Sequence, residues 1–452
     1  MADDIAVTDP RTGAVISHVP AGTPEAASDA VDRAAAALPH WSALEPEERS
    51  RLLHAVADAL QADLDELVRV EASETGQAID FVTGAVSAAI DNWRHFADTA
   101  SPDYLVDPLP EGGAIHRRPL GVSALIVPWN FPLLIAFRFL PGMLAVGNTV
   151  VWKPSERTPL SAVRAMECIS RVLPDGVVTL LLGDGRAGGP LVEDPRVRLV
   201  ALTGSTATGR YVAEVSGRLL RPVLLELGGK DAVIIDDGVD IAWAAQLVAD
   251  GCFTNTGQIC TSMERIYVHR AIADEFTEAL VARTRSAWQP APLGGTLGPL
   301  IDDAQKATVH RHVADAVAKG ARVEIGGDDS GLPGSYYPAT VLTGVTHEML
   351  VMTAETFGPI APIMVVNSMT EALDLAANSE YGLSASVLSP NPETLEAAQR
   401  LDVGTVWINT WHSYADGAIH QPGGSSGTGA IGWRGRQFLD AVSAPQFVST
   451  PS

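Results

Sequence analysis

Residues 121–134 read GVSALIVPWNFPLL, and at Gly121 the patterning of the chain changes. A strand-length run, apolar but for Ser123, stops at Pro128 and is followed by a proline-bracketed bend. Similar strand-like runs recur at NTVVW (148–152), VVTLLLG (177–183), VRLVALTG (197–204) and PVLLELGG (222–229), with helical stretches between them. Strands alternating with helices imply a parallel sheet covered on both faces. The cycle resumes at DAVIID (231–236) and ERIYVHR (264–270) and continues to GTVWIN (404–409). Two α/β domains meeting near Gly228–Gly229 account for this better than one oversized sheet.

Upstream, the first hundred residues read as helices. PEERSRLLHAVADALQADLDELVRVEASETG (46–76) places Leu52, Leu53, Val56, Leu60, Leu64, Leu67 and Val68 at helical spacings, and Gly76 ends it. Residues 101–120 are broken by prolines and include AIHRRPLG (114–121), which fits a hairpin or a crossing between domains. The chain after Gly423 is rich in glycine and serine and closes with strand-like PQFVST (445–450).

The chain has 452 residues, 46% of them hydrophobic and 19% charged, enough apolar material for large cores. Its formal charge of −23 argues against nucleic acid and anionic membrane surfaces, which need clustered basic groups. Three cysteines without CxxC spacing suggest neither a disulfide framework nor a zinc site, so no metal is expected. The opening MADDIAVTDP lacks the features of a signal peptide and no run reaches the length of a membrane span, which makes a reduced cytoplasm the default location.

Cys260 lies in the polar stretch NTGQICTSME (255–264). Gly257, Thr261 and Ser262 would let backbone N–H groups approach the sulfur and favour thiolate; an inert loop cysteine is the alternative. Glu226, in LLELGGK (224–230), ends an apolar strand where a parallel sheet presents functional groups. Half-buried, it should have a raised pKa and suit a general base, unless it is merely a strand-end acid paired with Lys230 or an arginine. Asn130, fixed between Pro128 and Pro132 and flanked by Trp129 and Phe131, is either a preorganised oxyanion donor or a turn asparagine.

In VWKPSERTP (151–159), Lys153 and Glu156 could bond the riboses of a dinucleotide, or belong to a charged loop opening a helix at Thr158–Pro159. GDGRAGG (183–189) is a lone and weak GxGxxG match. LTGSTATGR (202–210) puts Ser205 at a strand-to-helix junction, with Gly204 and Gly209 permitting close backbone approach to a pyrophosphate. If residues after Asn130 form a helix, Phe131, Leu134, Ile135 and Arg138 share one face with the arginine as its only charge. Arg138 would then meet a polar group of a substrate, or cover an apolar surface patch with its stem.

Taken together, PWNFP, KPSE, TGST, ELGGK, GQIC and ETFGP, in that order, resemble the aldehyde dehydrogenase superfamily, in its NAD(P)-dependent, non-acylating branch. The resemblance runs from DPRTGAVI (9–16) to PGGSSGTG (422–429). It implies an α/β fold of two Rossmann-like parallel-sheet domains plus an oligomerisation hairpin. Residues 1–100 and 120–228 would bind the cofactor, 229–422 would form the catalytic domain, and 101–119 with 440–452 would mediate a homodimer or homotetramer. Matched by position, Cys260 is the nucleophile, Glu226 the general base and Asn130 the oxyanion amide. NAD would be held by Lys153, Glu156, Ser205, Gly204, Gly209, Pro128, Trp129, Glu355 and Phe357. The substrate pocket would include Phe131, Ile135, Arg138, Ile259, Thr261 and Trp411, with His412 and Tyr414 nearby. The implied reaction is oxidation of an aldehyde to its acid through a cysteine thioester.

An aromatic aldehyde ranks above succinic semialdehyde, because the second arginine of semialdehyde relatives is here Thr254; an amino-aldehyde is a further alternative. Glu226 argues against a CoA-acylating enzyme, and the intact Cys260, Glu226 and Asn130 argue against a silent homologue. Three features depart from the family pattern: little chain precedes DPRTG, the late GGxKxSG lysine is absent, and Ala430-Ile431 stands where an Arg-Glu pair is usual.

Overall fold

The computed structural model describes residues 4–99, 101, 105–110, 112–290, 296–328, 331–415, 418–429, 431–432 and 434–449. The described residues open not with a helix, as the first hundred residues suggest, but with an antiparallel pair, Asp4–Asp9 and Ala14–Pro20. The long helix expected over 46–76 is two, Pro46–Ala62 and Leu64–Thr75. Their shared boundary residue, Asp63, leaves helical geometry (φ −109°, ψ 11°), and its carboxylate takes an ion pair with Arg164 from another helix. Apolar spacing continues across the break, which is why periodicity alone does not reveal it. Gly76 ends the second helix with φ 74°, and a Cβ there would press on Pro299 and Pro10.

Six strands form the first large sheet, in the order Gly427–Thr428, Val223–Glu226, Val197–Thr203, Val122–Ile126, Thr149–Lys153, Val178–Leu180. All neighbours are parallel except the first pair. The order reverses between Val122–Ile126 and Val197–Thr203, the place where open α/β sheets bind ligands beyond their strand C-termini. Apolar clusters cover both faces, one built on Trp93, Phe137 and Trp152, the other on Val31, Val151 and Leu191.

Seven strands form the second sheet, ordered Arg322–Ile325, Thr340–Thr343, Ile360–Val366, Met263–His269, Asp231–Ile235, Ser384–Leu388, Thr405–Ile408. Only its first pair is antiparallel. A third sheet sets Ala114–Pro119 between Val106–Pro108 and the C-terminal Ser443–Val448. Residues 101–120 therefore contain a hairpin; residues 102–104 and 111 of that stretch lie outside the described residues.

The glycine- and serine-rich tail is no linker. Gly427 and Thr428 pair with Glu226 and Leu225, adding the antiparallel edge strand to the first sheet. Gly427 has φ 145°, and a Cβ on it would lie 2.0 Å from the Leu225 carbonyl, so this strand comes closer than any side chain permits. Among the described residues, no helix is long and apolar enough to cross a membrane.

Candidate active site

The candidate residues converge between the C-terminal ends of the first sheet's strands and the N-terminal ends of the second's. Asn130 follows the strand Val122–Ile126, Ser205 follows Val197–Thr203, and Glu226 ends Val223–Glu226. Cys260 comes just before the strand Met263–His269.

The helix Ile241–Phe253 ends at Thr254, and three successive residues, Asn255, Thr256 and Gly257, take left-handed φ values of 52°, 58° and 70°. The turn is held by side-chain amides from three places in the chain, Gln77, Asn130 and Asn255. Gln77 Nε2 donates to the Asn130 carbonyl at 2.7 Å and to Asn255 Oδ1 at 2.9 Å. Asn255 Nδ2 donates to the Gln258 carbonyl at 3.2 Å, and Asn130 Nδ2 to the same oxygen at 2.9 Å. Asn130 is thus buried and fixed relative to a carbonyl two residues before Cys260. Gly257 has a different reason from the one its spacing suggests: a Cβ would lie 2.2 Å from the Gly358 carbonyl, so it lets the ETFGP loop dock on the cysteine turn.

Two ionisation states differ from the sequence expectation. The Cys260 thiol is pushed well up, by burial and by the charges of Glu226, Asp231 and Glu355, so the resting sulfur is protonated rather than thiolate. Glu226 is held below the usual carboxylate range rather than above it. Burial raises it, but Arg138 (Nη1 to Oε2, 3.7 Å) and His420 (Nε2 to Oε1, 2.8 Å) more than offset that. Lys230 is not the partner of Glu226. It donates to Glu264 Oε2 at 2.6 Å and Thr356 Oγ1 at 3.1 Å. Arg138 is no surface arginine either: it is buried on the helix Pro132–Ala145 beside the carboxylate.

Cys260 lines two cavities. The larger, about 710 Å³, is walled by Phe131, Leu134, Ile135 and Arg138 from one helix face, by Ile259 and Thr261, and by Trp411, His412 and Tyr414. Thr254, Glu226 and His420 also border it. Trp411 Nε1 donates to the Thr261 carbonyl at 3.0 Å and its ring stacks on His412 at 4.2 Å, which fixes that wall. The smaller cavity, about 260 Å³, is lined by Pro128, Trp129, Asn130, Gly204, Ser205, Glu355 and Phe357. Ser205 caps the helix Thr206–Arg218, accepting from the Thr208 N–H, and Phe357 meets Trp129 edge-on at 5.3 Å.

Three expected cofactor residues do not line that smaller cavity. Lys153 Nζ donates to the Pro154 carbonyl at 3.0 Å and stands 3.9 Å from Glu156. Gly209 serves packing, since a Cβ would run into Leu227 at 2.4 Å.

Sequence reasoning missed the supports. The Glu264 carboxylate receives the Thr356 and Phe357 N–H groups, each at 2.7 Å, and so shapes the loop carrying Glu355 and the left-handed Phe357. Glu355 Oε1 accepts from the Gly229 N–H at 3.0 Å, and burial with the nearby Glu264 charge pushes its carboxyl up to about 7. Glu71 Oε2 accepts from the Leu133 N–H at 3.1 Å, and the Glu74 carboxylate from Leu160 and Ser161 at 2.6 and 2.9 Å. The Leu64–Thr75 helix thereby caps two others from inside the core. The i, i+3 spacing of these acids was the available signal, although it reads more simply as an exposed face.

The aldehyde dehydrogenase family model matches residues 1–448. An aldehyde dehydrogenase from Paenarthrobacter nicotinovorans is 38% identical over 417 residues, covering 90% of this chain and 91% of the relative. The crystal structure of lactaldehyde dehydrogenase from Escherichia coli superimposes with a TM-score of 0.94 at 33% identity, covering 100% of this chain and 96% of that one. Betaine aldehyde dehydrogenase from Staphylococcus aureus, solved in complex with NAD+, gives a TM-score of 0.93 at 30% identity, covering 99% of this chain and 91% of that one. With two Rossmann-like sheets meeting at a cysteine that opens onto two cavities, this chain is an oxidoreductase of the aldehyde dehydrogenase family.

Proposed function

We propose that the chain oxidises an uncharged aromatic aldehyde to the carboxylic acid with NAD, using Cys260 as nucleophile, Glu226 as general base and Asn130 as oxyanion donor. The observation that carries this reading is the position of Cys260 on both cavities, one on the substrate side and one on the cofactor side.

The smaller cavity fits a dinucleotide chemically. Ser205 and the helix N-terminus beneath it suit a pyrophosphate, Glu355 suits ribose hydroxyls, and Trp129 and Phe357 offer flat apolar walls. Lys153 and Glu156 would take the adenosine ribose. Bound there, NAD supplies the hydride acceptor.

The protein residues do the rest. Because the resting sulfur is a thiol, a base must remove its proton, and Glu226 borders the same cavity. The thiolate adds to the aldehyde carbon, and the developing oxyanion is met by the Asn130 carboxamide and the Cys260 N–H. After hydride loss the acyl group remains on Cys260 as a thioester. Glu226, having released the thiol proton to solvent, takes a proton from water, the water oxygen bonds to the acyl carbon, and the C–S bond breaks with its electrons staying on sulfur, which is then reprotonated.

Relatives named for lactaldehyde and for betaine aldehyde do not select a substrate. The lining supports an aromatic one: Phe131, Trp411 and Tyr414 offer aromatic surface, while Arg138 is engaged by Glu226 and Thr254 supplies no cation at its position. The cavity's other arginine, Arg434, already donates to Asn92 Oδ1 at 2.9 Å, so a semialdehyde carboxylate would compete with an existing partner at both arginines. Phe447 and Val448, 60% and 39% exposed on the outer strand of the three-stranded sheet, are the apolar edge through which we propose copies associate as a dimer or tetramer. Three free cysteines agree with a reducing cytoplasm as the location.

Four outcomes test the reading. Cys260→Ala abolishes aldehyde-dependent NADH formation while NAD binding by fluorescence persists, and Cys252→Ala stays active; the reverse pattern sinks the assignment. In stopped-flow, Glu226→Gln shows a burst of NADH followed by turnover slowed roughly 10²–10⁴-fold, the usual worth of a general base. Equal slowing of both phases would make Glu226 chiefly the activator of Cys260. NAD outperforms NADP in kcat/KM, because Glu156 repels a 2′-phosphate, and Glu156→Ser narrows that ratio. Finally, benzaldehyde is turned over faster than succinic semialdehyde; a wild-type preference for the semialdehyde that disappears in Arg138→Leu overturns the substrate class.

A further inference from the structure

Buried amides surround the Cys260 turn, and their hydrogens can be followed one by one. A carboxamide nitrogen carries two hydrogens, and a carbonyl oxygen has two lone pairs. Gln77 Nε2 gives one hydrogen to the Asn130 carbonyl at 2.7 Å and the other to Asn255 Oδ1 at 2.9 Å. Asn255 Nδ2 gives its two to the Gln258 carbonyl at 3.2 Å and the Asn130 carbonyl at 3.3 Å. Asn130 Nδ2 is the second donor to the Gln258 carbonyl, at 2.9 Å, so both carbonyls are filled. Each amide faces a backbone oxygen, which only its nitrogen can serve, and this fixes its orientation. Among the described residues, the ring leaves one amide hydrogen unspent, the second on Asn130 Nδ2, and Asn130 shares the smaller cavity with Cys260. The ring joins three separate segments. Gln77 is buried just beyond the helix Leu64–Thr75, held by left-handed Gly76 against Pro299 and Pro10 and by a 3.3 Å bond from its own N–H to Thr75 Oγ1. Asn255 belongs to the left-handed turn that precedes the cysteine.

We propose that Gln77 is a positioning residue for the oxyanion: by tying the Asn130 backbone to the Asn255 turn, it aims the unspent Asn130 hydrogen at the oxygen of a carbonyl attacked by Cys260. The proposal rests on Cys260 being the nucleophile and Asn130 the oxyanion donor. Gln77 lines neither cavity, so it acts through Asn130 and not on substrate or cofactor. Its influence is confined to steps in which an oxyanion forms. When the deprotonated sulfur bonds to a carbonyl carbon, the π electrons of the C=O move onto oxygen, and the donor must already stand where that charge appears. Losing such a donor outright costs ~10²–10³-fold in rate, and a misplacement of about 1 Å can cost ~10²-fold. Alkylation of the same sulfur at a saturated carbon creates no oxyanion and makes no use of that aim.

Two reagents that need neither aldehyde nor cofactor separate these roles. p-Nitrophenyl acetate acylates the Cys260 sulfur through a tetrahedral oxyanion and releases nitrophenolate, whereas iodoacetamide alkylates it with loss of iodide. Gln77→Glu keeps the side chain's shape and removes both hydrogens; Gln77→Met removes them without adding a charge. In each variant, first-turnover nitrophenolate release in stopped-flow should slow ~10- to 10²-fold, the range that misplacement costs. Iodoacetamide labelling of Cys260, followed by mass spectrometry, should keep its wild-type rate. Labelling slowed by the same factor as acylation would make Gln77 a mere support of the cysteine turn and overturn the positioning role. Asn130→Ala tests the underlying assignment. Wild-type acylation in that variant removes Asn130 from the oxyanion and sinks the functional reading together with the role built on it. Slow acylation there, beside wild-type acylation in both Gln77 variants with folds verified by their melting curves, sinks the positioning role alone.

Discussion

The site depends on how the chain passes from one sheet to the other at Gly228–Gly229. A Cβ on Gly228 would lie 2.5 Å from the Glu355 carboxylate, and one on Gly229 would lie 2.4 Å from the Cys260 carbonyl. No side chain fits at either point, so the crossing peptide is clamped between the loop carrying Glu355 and the cysteine turn. The Gly229 N–H uses that proximity to bond Glu355. Glu226 is fixed two residues upstream and Lys230 one residue downstream, where it pairs with Glu264 and so steadies the same loop. Because both glycines are needed sterically, a single crossing sets the distances among Glu226, Cys260 and the loop carrying Glu355.

Charge is distributed around that crossing so that the resting centre is quiet. Carboxylates near Cys260 keep it a thiol, and Arg138 with His420 keeps Glu226 ionised. A permanently exposed thiolate would react with any electrophile in the solvent. On the proposed assignment reactivity would wait on a proton transfer, and a cofactor and a substrate entering the two cavities would alter the solvation of both groups.

The alternating α/β pattern was readable because each strand is apolar over its whole length and bounded by turn residues; Val122–Ile126 and Asp231–Ile235 lie inside the runs that suggested them. Cys260 stood out as a thiol in a polar stretch, Glu226 as a carboxylate ending an apolar strand, and Asn130 as an amide bracketed by two prolines. Their ionisation did not. It depends on Arg138, 88 positions from Glu226 in sequence, and on His420, 194 away, and pairings over such separations leave no periodic trace. Asp63 broke a helix through a partner on another helix, and Glu71 and Glu74 capped helices they do not belong to. The reason for Gly257 was equally hidden, since the crowding atom belongs to Gly358.

The departure from the family pattern after Pro422 becomes intelligible through this geometry. Ala430 lies outside the described residues, but the segment around it does two jobs. Gly427 joins the edge of the first sheet directly opposite Glu226, and Ser426 Oγ donates to the Gly228 carbonyl at 2.7 Å while accepting from the Gly382 N–H at 3.0 Å. The strap thus ties the crossing glycine to the short strand Tyr381–Gly382, which pairs in turn with Gly423–Gly424. Just before it, Ile419–His420 pairs with Ile431–Gly432, and that pairing aims His420 at the carboxylate the strap has just covered. Small residues are required where the strap lies against the Glu226 strand, because the backbones there approach within side-chain distance. A bulky or charged residue at Gly427 would lift the strap, and lifting it would withdraw the imidazole from Glu226. The composition that reads as a flexible tail is, physically, the condition for bringing an imidazole within 2.8 Å of a carboxylate buried 194 residues earlier in the chain.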